Sequence, residues 1–347
     1  MLKQLCIKNF KSIDDATLKM TPLTILTGAN SSGKSSTIQT LLLLMKHSGS
    51  TNPYSMDELL RYLDSFSAIR NKKNNAKRVQ INATDSDDLT HCLAITLEGS
   101  EVESSLPYIY EARGDEPELL YLNANRLGAQ DLIPLSQRKV GFVGEYLFSY
   151  FHKIKNNILV DELVKFDNSP MMGYQLSQWL TLITGTATEL VTEQVGEQVK
   201  VEFNVGDIEG NVSPFNLGAG ISYIAKVLII CLMARKGDIV LLENPEVQLH
   251  PESQSRLGEF LAFVASKGIQ LVVETHSEHL INRIRLEVSE EHIDCDDVVI
   301  HYKGSASDPF QTLLLDIDGH FVDQHENRQS FPKGFFDASV LALLSLR

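Results

Sequence analysis

The residues best equipped for chemistry are Gly28-Ala29-Asn30-Ser31-Ser32-Gly33-Lys34-Ser35, which fill every fixed position of the pattern G-x-x-x-x-G-K-[ST]. That spacing serves triphosphate binding. Successive backbone N–H groups and the start of the following helix form a cradle of partial positive charge for phosphate oxygens. Lys34 would reach the β- and γ-phosphates, Ser36 continues the helix start, and the Ser35 hydroxyl suits Mg²⁺.

Further chemistry-bearing residues lie downstream. Residues 239–246 read Ile-Val-Leu-Leu-Glu-Asn-Pro-Glu, an apolar run closing on acid. This is the Walker-B arrangement, in which an acid at a strand end holds the Mg²⁺ shell or polarises the attacking water, so Glu243 is the candidate metal residue. Val272-Val273-Glu274-Thr275-His276 is a second short apolar run, and His276 at its end is placed to contact a γ-phosphate. Between these runs and the phosphate loop lies Asn216-Leu217-Gly218-Ala219-Gly220-Ile221-Ser222, with two glycines before an apolar helix. A helix start of this kind is another anion-binding surface. One nucleotide does not need two such surfaces from one chain. The economical arrangement is a head-to-tail dimer, in which Asn216, Gly218, Gly220 and Ser222 face the triphosphate held by the other copy.

The elements that must position these residues are legible as patterns. Leu23 to Leu26 reads as a buried strand and Ser36 to Lys46 as a helix, the strand–loop–helix context that the phosphate loop requires. Leu2 to Ile7 and Ala16 to Met20 read as an antiparallel pair joined at Asn9-Phe10-Lys11-Ser12; Phe10 suits a core, while Lys11 could lie near the nucleotide. Val79 to Ala83 and His91 to Leu97 read as strands, and Met56 to Phe66 as a helix. Leu119 to Leu122 reads as another strand, followed by Asn123-Ala124-Asn125-Arg126. Ligands in open parallel sheets sit beyond the carboxyl ends of strands, which makes Arg126 a candidate for reaching the nucleotide or a neighbouring subunit. Gly141 to Phe166 and Gly173 to Leu182 read as helices of a lobe without sustained heptads, and Val298 to Lys303 and Thr312 to Ile317 as late strands. Asp316 and Asp318 belong to an Asp-x-Asp-Gly sequence that suits a turn.

Composition narrows the partners. With 347 residues, 43% hydrophobic and 22% charged, the chain has ample length for a core of ordinary globular composition. A net charge of −14 disfavours nonspecific attraction to a phosphate backbone. Nucleic acid stays open through the basic cluster Arg70, Lys72, Lys73, Lys77 and Arg78, which is either a solvated loop or a contact for nucleic acid or an acidic partner. The longest apolar run, Ile221 to Ala234, includes Lys226 and is too short to span a bilayer. The four cysteines are widely spaced without a C-x-x-C pair, and the N-terminus is unlike a signal peptide. The expectation is a cytoplasmic protein with no membrane partner.

These motifs, in this order, resemble an ABC-type ATPase head of the SMC and OLD group. They are similar to small stand-alone ATPases carrying Asn-Phe-Lys-Ser, Walker A, Glu-x-Pro-Glu-x-x-Leu-His-Pro and Glu-Thr-His-Ser-Glu, many encoded in prokaryotic defence loci, sometimes beside a nuclease. Here the matching residues are Asn9 to Ser12, Glu243 to Pro251, Glu274 to Glu278 and the tail Phe331 to Asp337. The resemblance implies an α/β P-loop NTPase of ABC-ATPase type, with a mixed central sheet flanked by helices, an antiparallel β element and a helical lobe. It implies a Walker-A half over 1–50, a β-rich insertion over 51–125 and a mainly helical lobe over 126–205. The signature, Walker-B and switch-histidine half would cover 206–290, and a small C-terminal module 291–347. ATP and Mg²⁺ would be bound, Gly218 to Ser222 would contact a partner copy's γ-phosphate, and a separate nuclease or toxin would be the effector of an antiviral defence complex. Two departures stand out. Asn244 occupies the position of the water-activating glutamate, and an amide is no useful base near neutral pH. Either Glu246 or Glu243 is then the base, or hydrolysis is slow and binding is the signal. The signature reads Leu-Gly-Ala-Gly rather than Leu-Ser-Gly-Gly.

Overall fold

The computed structural model describes residues 1–48, 52–206 and 208–332. Most of the tail Phe331 to Asp337 therefore lies outside the described residues. The chain opens with β1 (Leu2–Phe10), β2 (Ile13–Lys19), β3 (Leu23–Gly28) and α1 (Lys34–His47), then α2 (Phe66–Ile69) and the strands β4 (Arg78–Asp85), β5 (Thr90–Thr96) and β6 (Gly99–Val102). Next come β7 (Ile109–Tyr110), β8 (Glu118–Leu122), β9 (Leu132–Pro134), α3 (Leu147–Ile154) and α4 (Met172–Thr184). They are followed by β10 (Thr188–Val195), β11 (Gln198–Val205), β12 (Asn211–Val212) and α5 (Ala219–Leu232). The last part carries β13 (Ile239–Glu243), α6 (Pro251–Ser266), β14 (Gln270–Glu274), α7 (Glu278–Ser289), β15 (Val298–Lys303), β16 (Gln311–Leu315) and β17 (Phe321–Val322).

The central sheet runs β17-β16-β15-β3-β14-β13-β8-β7, parallel from β15 to β7 with antiparallel β16 and β17 at one edge. Strands β3, β8, β13, β14 and β15 are buried at every residue. Apolar runs without alternation are what a parallel sheet covered on both faces demands. One face packs Leu26, Leu241 and Val272 against α1 and the antiparallel sheet β2-β1-β4-β5-β6. The other packs Ile25, Val240 and Val273 against α4, α5, α6 and α7. Trp179 of α4 anchors that layer edge-on to Phe260 of α6, with ring centroids 4.9 Å apart.

Several expectations need correction. Residues 126–205 are not mainly helical: β10 and β11 form an antiparallel hairpin, with β9 and β12 paired to β11. The helix expected over Gly141 to Phe166 is confined to Leu147–Ile154. Upstream of it, the buried Glu111 carboxylate accepts the N–H groups of Lys139, Val140 and Gly141, fixing an irregular loop. Over Met56 to Phe66 the structure makes isolated turns, and the helix begins only at Phe66 behind the Ser65 cap. The stretch after 291 is no separate module as far as it is described. Its strand β15 pairs in parallel with β3, directly beneath the phosphate loop. Among the described residues no helix is long and apolar enough to cross a membrane.

Candidate functional site

The phosphate loop leaves β3 at Gly28, where φ is +131° and an added Cβ would lie 2.1 Å from the Lys303 carbonyl oxygen. Only glycine tolerates that backbone and that approach. Ala29 N–H donates to the same carbonyl at 3.1 Å, so β15 props the loop from below. Lys34 begins α1, is only 3% exposed, and donates to the carbonyls of Gly28 and Ala29 at 3.2 and 2.7 Å. The lysine is folded back over its own loop. Burial lowers its pKa, and nearby Glu274 opposes that shift.

Beside the loop is a cavity of about 270 Å³, lined by Ser12, Asn30, Ser31, Gly33 to Ser36, Asn244, Glu274 and His276. The strand order β3-β14-β13 brings these residues together, because the ends of β14 and β13 open onto the same side as the loop. His276 lines the cavity from an exposed position; partial desolvation of the ring and the adjacent Lys34 charge lower its pKa, which keeps the imidazole neutral at pH 7. Its backbone N–H donates to Glu246 Oε1 at 2.8 Å. Glu246 thus lies behind His276, outside the cavity lining, and burial raises its pKa.

Glu243 is also turned away. Its carboxylate accepts the Tyr121 hydroxyl at 2.9 Å and the Ala124 N–H at 3.2 Å, and it does not line the cavity. Glu274 does line it, 3.9 Å from Lys34 Nζ and against the Ser35 hydroxyl. Sequence reasoning passed over Glu274 although it lies inside the Glu-Thr-His motif, because only His276 was used from that stretch. Lys303, the underside support, was missed for want of any local signal.

Arg126 does not reach the cavity. It is 2% exposed, donates to the carbonyls of Glu243 and Asn244 at 3.0 and 2.9 Å, and stacks on Tyr223 of α5. Burial pulls its pKa down to about 10. Lys11 donates to Gln39 Oε1 at 2.6 Å and lines a neighbouring cavity of about 460 Å³ with Ser12, Arg70, Lys72 and Lys73. The basic cluster is therefore divided: Lys77 and Arg78 are exposed, and Arg78 pairs with Glu101 at 3.5 Å. Of the signature residues, Asn216 and Gly218 are exposed, Gly220 packs so that a Cβ would be 2.5 Å from the Gln248 carbonyl, and Ser222 is buried at 1%. Burial turns Ser222 away from any partner copy.

Seven of the twelve buried side-chain polar atoms without a partner, among the described residues, belong to Thr27, Ser32, Asn123, Arg126, Asn244, Glu246 and Glu274. All lie at or just beyond the carboxyl ends of β3, β8, β13 and β14. Buried polar groups are normally satisfied; of these seven residues only Asn244 and Glu274 line the cavity, and theirs are the open polar atoms that a ligand there could complete. The oxygen donors of Ser35, Asn244 and Glu274 are hard ligands of the kind that suits Mg²⁺ alongside phosphate oxygens.

The family described as "AAA domain, putative AbiEii toxin, Type IV TA system" matches residues 57–282. None of the curated proteins matches the chain. Among solved structures, an SMC head bound to the C-winged helix domain of ScpA is similar at 12% identity and a TM-score of 0.59, covering 91% of this chain and 98% of that one. An Smc head domain with an extended coiled coil bound to the C-terminal domain of ScpA, derived from Pyrococcus furiosus, is similar at 12% identity and a TM-score of 0.55, covering 90% and 96%. At that identity the likeness shows the fold, an SMC-head-like arrangement of the P-loop sheet.

Proposed function

Because the chain belongs to the family described as "AAA domain, putative AbiEii toxin, Type IV TA system", and so is an ATPase domain of AAA type, we propose that its working state is a head-to-tail dimer closed around ATP and Mg²⁺. The observation that carries this reading is the half-built cavity. Its lining comes from the phosphate loop and the ends of β13 and β14, and no residue of 216–222 contributes within one chain. Asn216 and Gly218 are exposed at the start of α5, where a helix N-terminus favours an anion.

In this reading the loop N–H groups and Lys34 hold the β- and γ-phosphates, Lys34 exchanging its own-loop carbonyls for phosphate oxygens. Ser35 directs its hydroxyl to the metal. His276, neutral at pH 7, contacts the γ-phosphate, and Glu246 fixes the backbone that carries it. Bound Mg²⁺ would supply neutralisation of charge on the phosphate oxygens. Asn216 and Gly218 complete the pocket of the facing copy, so that closure depends on the γ-phosphate.

The output would be a regulatory or sensor role in a prokaryotic defence complex with a separate effector, a nuclease or toxin. The family's toxin–antitoxin description supports that role. So does the state of the two acid–histidine clusters among the described residues. Arg283 pairs with Glu287 and Arg328 lies against Asp316 and Asp318, which gives neither cluster the look of a nuclease metal centre. Light scattering with and without ATPγS tests the dimer: a nucleotide-dependent doubling of mass supports it, and an unchanged monomer at saturating ATPγS rejects it.

A second reading, a nucleotide-locked scaffold with negligible turnover, is favoured by one observation. Asn244, with φ of +46°, puts an amide into the cavity where a water-activating carboxylate is expected. Phosphate release separates the two. Turnover above background that falls at least tenfold in Glu246→Gln supports the enzyme, and no turnover in the wild type supports the scaffold.

A further inference from the structure

The acid that the sequence offers for the metal and the acid that the fold delivers to the cavity are different residues. Glu243 ends β13 and Glu274 ends β14, and the two are direct partners in the parallel register. Strand β14 lies between β13 and β3, so Glu274 is one strand from the phosphate loop and Glu243 is two. Both carboxylate oxygens of Glu243 are occupied, by Tyr121 and Ala124. Glu274 is 4% exposed, lines the cavity beside Ser35, and its Oε2 is buried with no hydrogen-bond partner. A buried carboxylate oxygen left open beside a serine hydroxyl is costly unless something cationic completes it. Lys34 Nζ, at 3.9 Å from Oε1, is held closer by the loop carbonyls.

We propose that Glu274, rather than Glu243, is the carboxylate that completes the divalent-metal shell with Ser35. The metal-holding acid has moved one strand over, from the strand expected to carry it to the strand adjoining the phosphate loop. Glu243 then serves the architecture: through Tyr121 and Ala124 it ties the end of β13 to the loop after β8. This assignment rests on the nucleotide-binding reading above and deepens it.

The test is binding, free of turnover. The full chain is titrated with Mn²⁺ in the presence of ATPγS and followed by electron paramagnetic resonance, and ATPγS affinity is measured separately in EDTA. For Glu274→Gln the expected result is at least a tenfold rise in the Mn²⁺ needed for half-saturation, with metal-free ATPγS binding kept or strengthened as a negative charge leaves the phosphate site. Glu243→Gln should stay within twofold of wild type. Should Glu274→Gln fold poorly by circular dichroism, Glu274→Asp keeps the charge with a shorter reach and should show a smaller rise in the same direction. Loss of Mn²⁺ binding confined to Glu243→Gln overturns the assignment. So does a Glu274→Gln effect seen only in EDTA, which would make Glu274 merely the partner of Lys34. A wild type that binds no ATPγS with or without metal sinks the nucleotide reading itself, and this assignment with it.

Discussion

Gly28 shows how little freedom the site leaves to a single residue. A Cβ there would meet the Lys303 carbonyl oxygen at 2.1 Å, against backbone that cannot move without parting β15 from β3. Gly28→Ala should therefore cost on the order of 2 kcal/mol or more in urea unfolding and abolish ATPγS binding measured by calorimetry. Lys226 gives a different lesson. It is fully buried in α5, donates to the Leu127 carbonyl at 2.8 Å and to Gln130, and burial lowers its pKa to about 7, with Glu145 opposing and Arg126 assisting. Between pH 7 and pH 10 the unfolded chain keeps this proton while the folded chain has lost it. Stability from this group therefore rises with pH across that window. Thermal melts of wild type and Lys226→Met should show wild type gaining on the variant from pH 7 to pH 10; a constant gap would contradict the shift.

At the scale of elements, Arg126 is a clasp. One guanidinium joins the loop after β8, the turn after β13 and helix α5, through the Glu243 and Asn244 carbonyls and the face of Tyr223. It also grips the carbonyl of Asn244, a residue with φ of +46° that lines the cavity. Arg126→Ala removes a donor from the buried Glu243 carbonyl and from the Asn244 carbonyl, which keeps the Val247 N–H, and should cost about 1–3 kcal/mol in chemical denaturation. Arg126→Lys, with one donor group instead of a planar fork, should recover part of that stability. A loss below about 0.5 kcal/mol would show the clasp to be slack. The hairpin β10–β11 makes a separate point about legibility. Val199, Val201, Phe203 and Val205 are buried with polar residues between them, and Gly196-Glu197 makes the turn. That period of two is visible in the residues, yet the runs flanking it read as helices, and the hairpin is decided by the pairing of β10 with β11.

For the whole molecule the question is whether a second copy completes the site. Gly218 is the place to ask, since nothing lies within 4 Å of a Cβ built there. Gly218→Glu should fold and melt like wild type and bind ATPγS as a monomer with unchanged affinity. The added negative charge should suppress the ATPγS-dependent dimer in light scattering, because it would face a triphosphate. A dimer that forms as before would remove the start of α5 from the interface.

The phosphate loop was legible because its chemistry is local: eight consecutive residues between an apolar run and a helix specify the cradle wherever the chain places it. The strands ending at Gly28, Leu122, Glu243 and Glu274 were legible too, since strands covered on both faces must be apolar throughout. Which acid faces the phosphates was not. Glu243, Glu246 and Glu274 are equivalent as side chains, and only the order β3-β14-β13, with the partners waiting beside each strand end, turns one toward Ser35 and two away. Strand order is set by long-range packing between segments far apart in the chain, which leaves no mark on the short stretch where the acid resides.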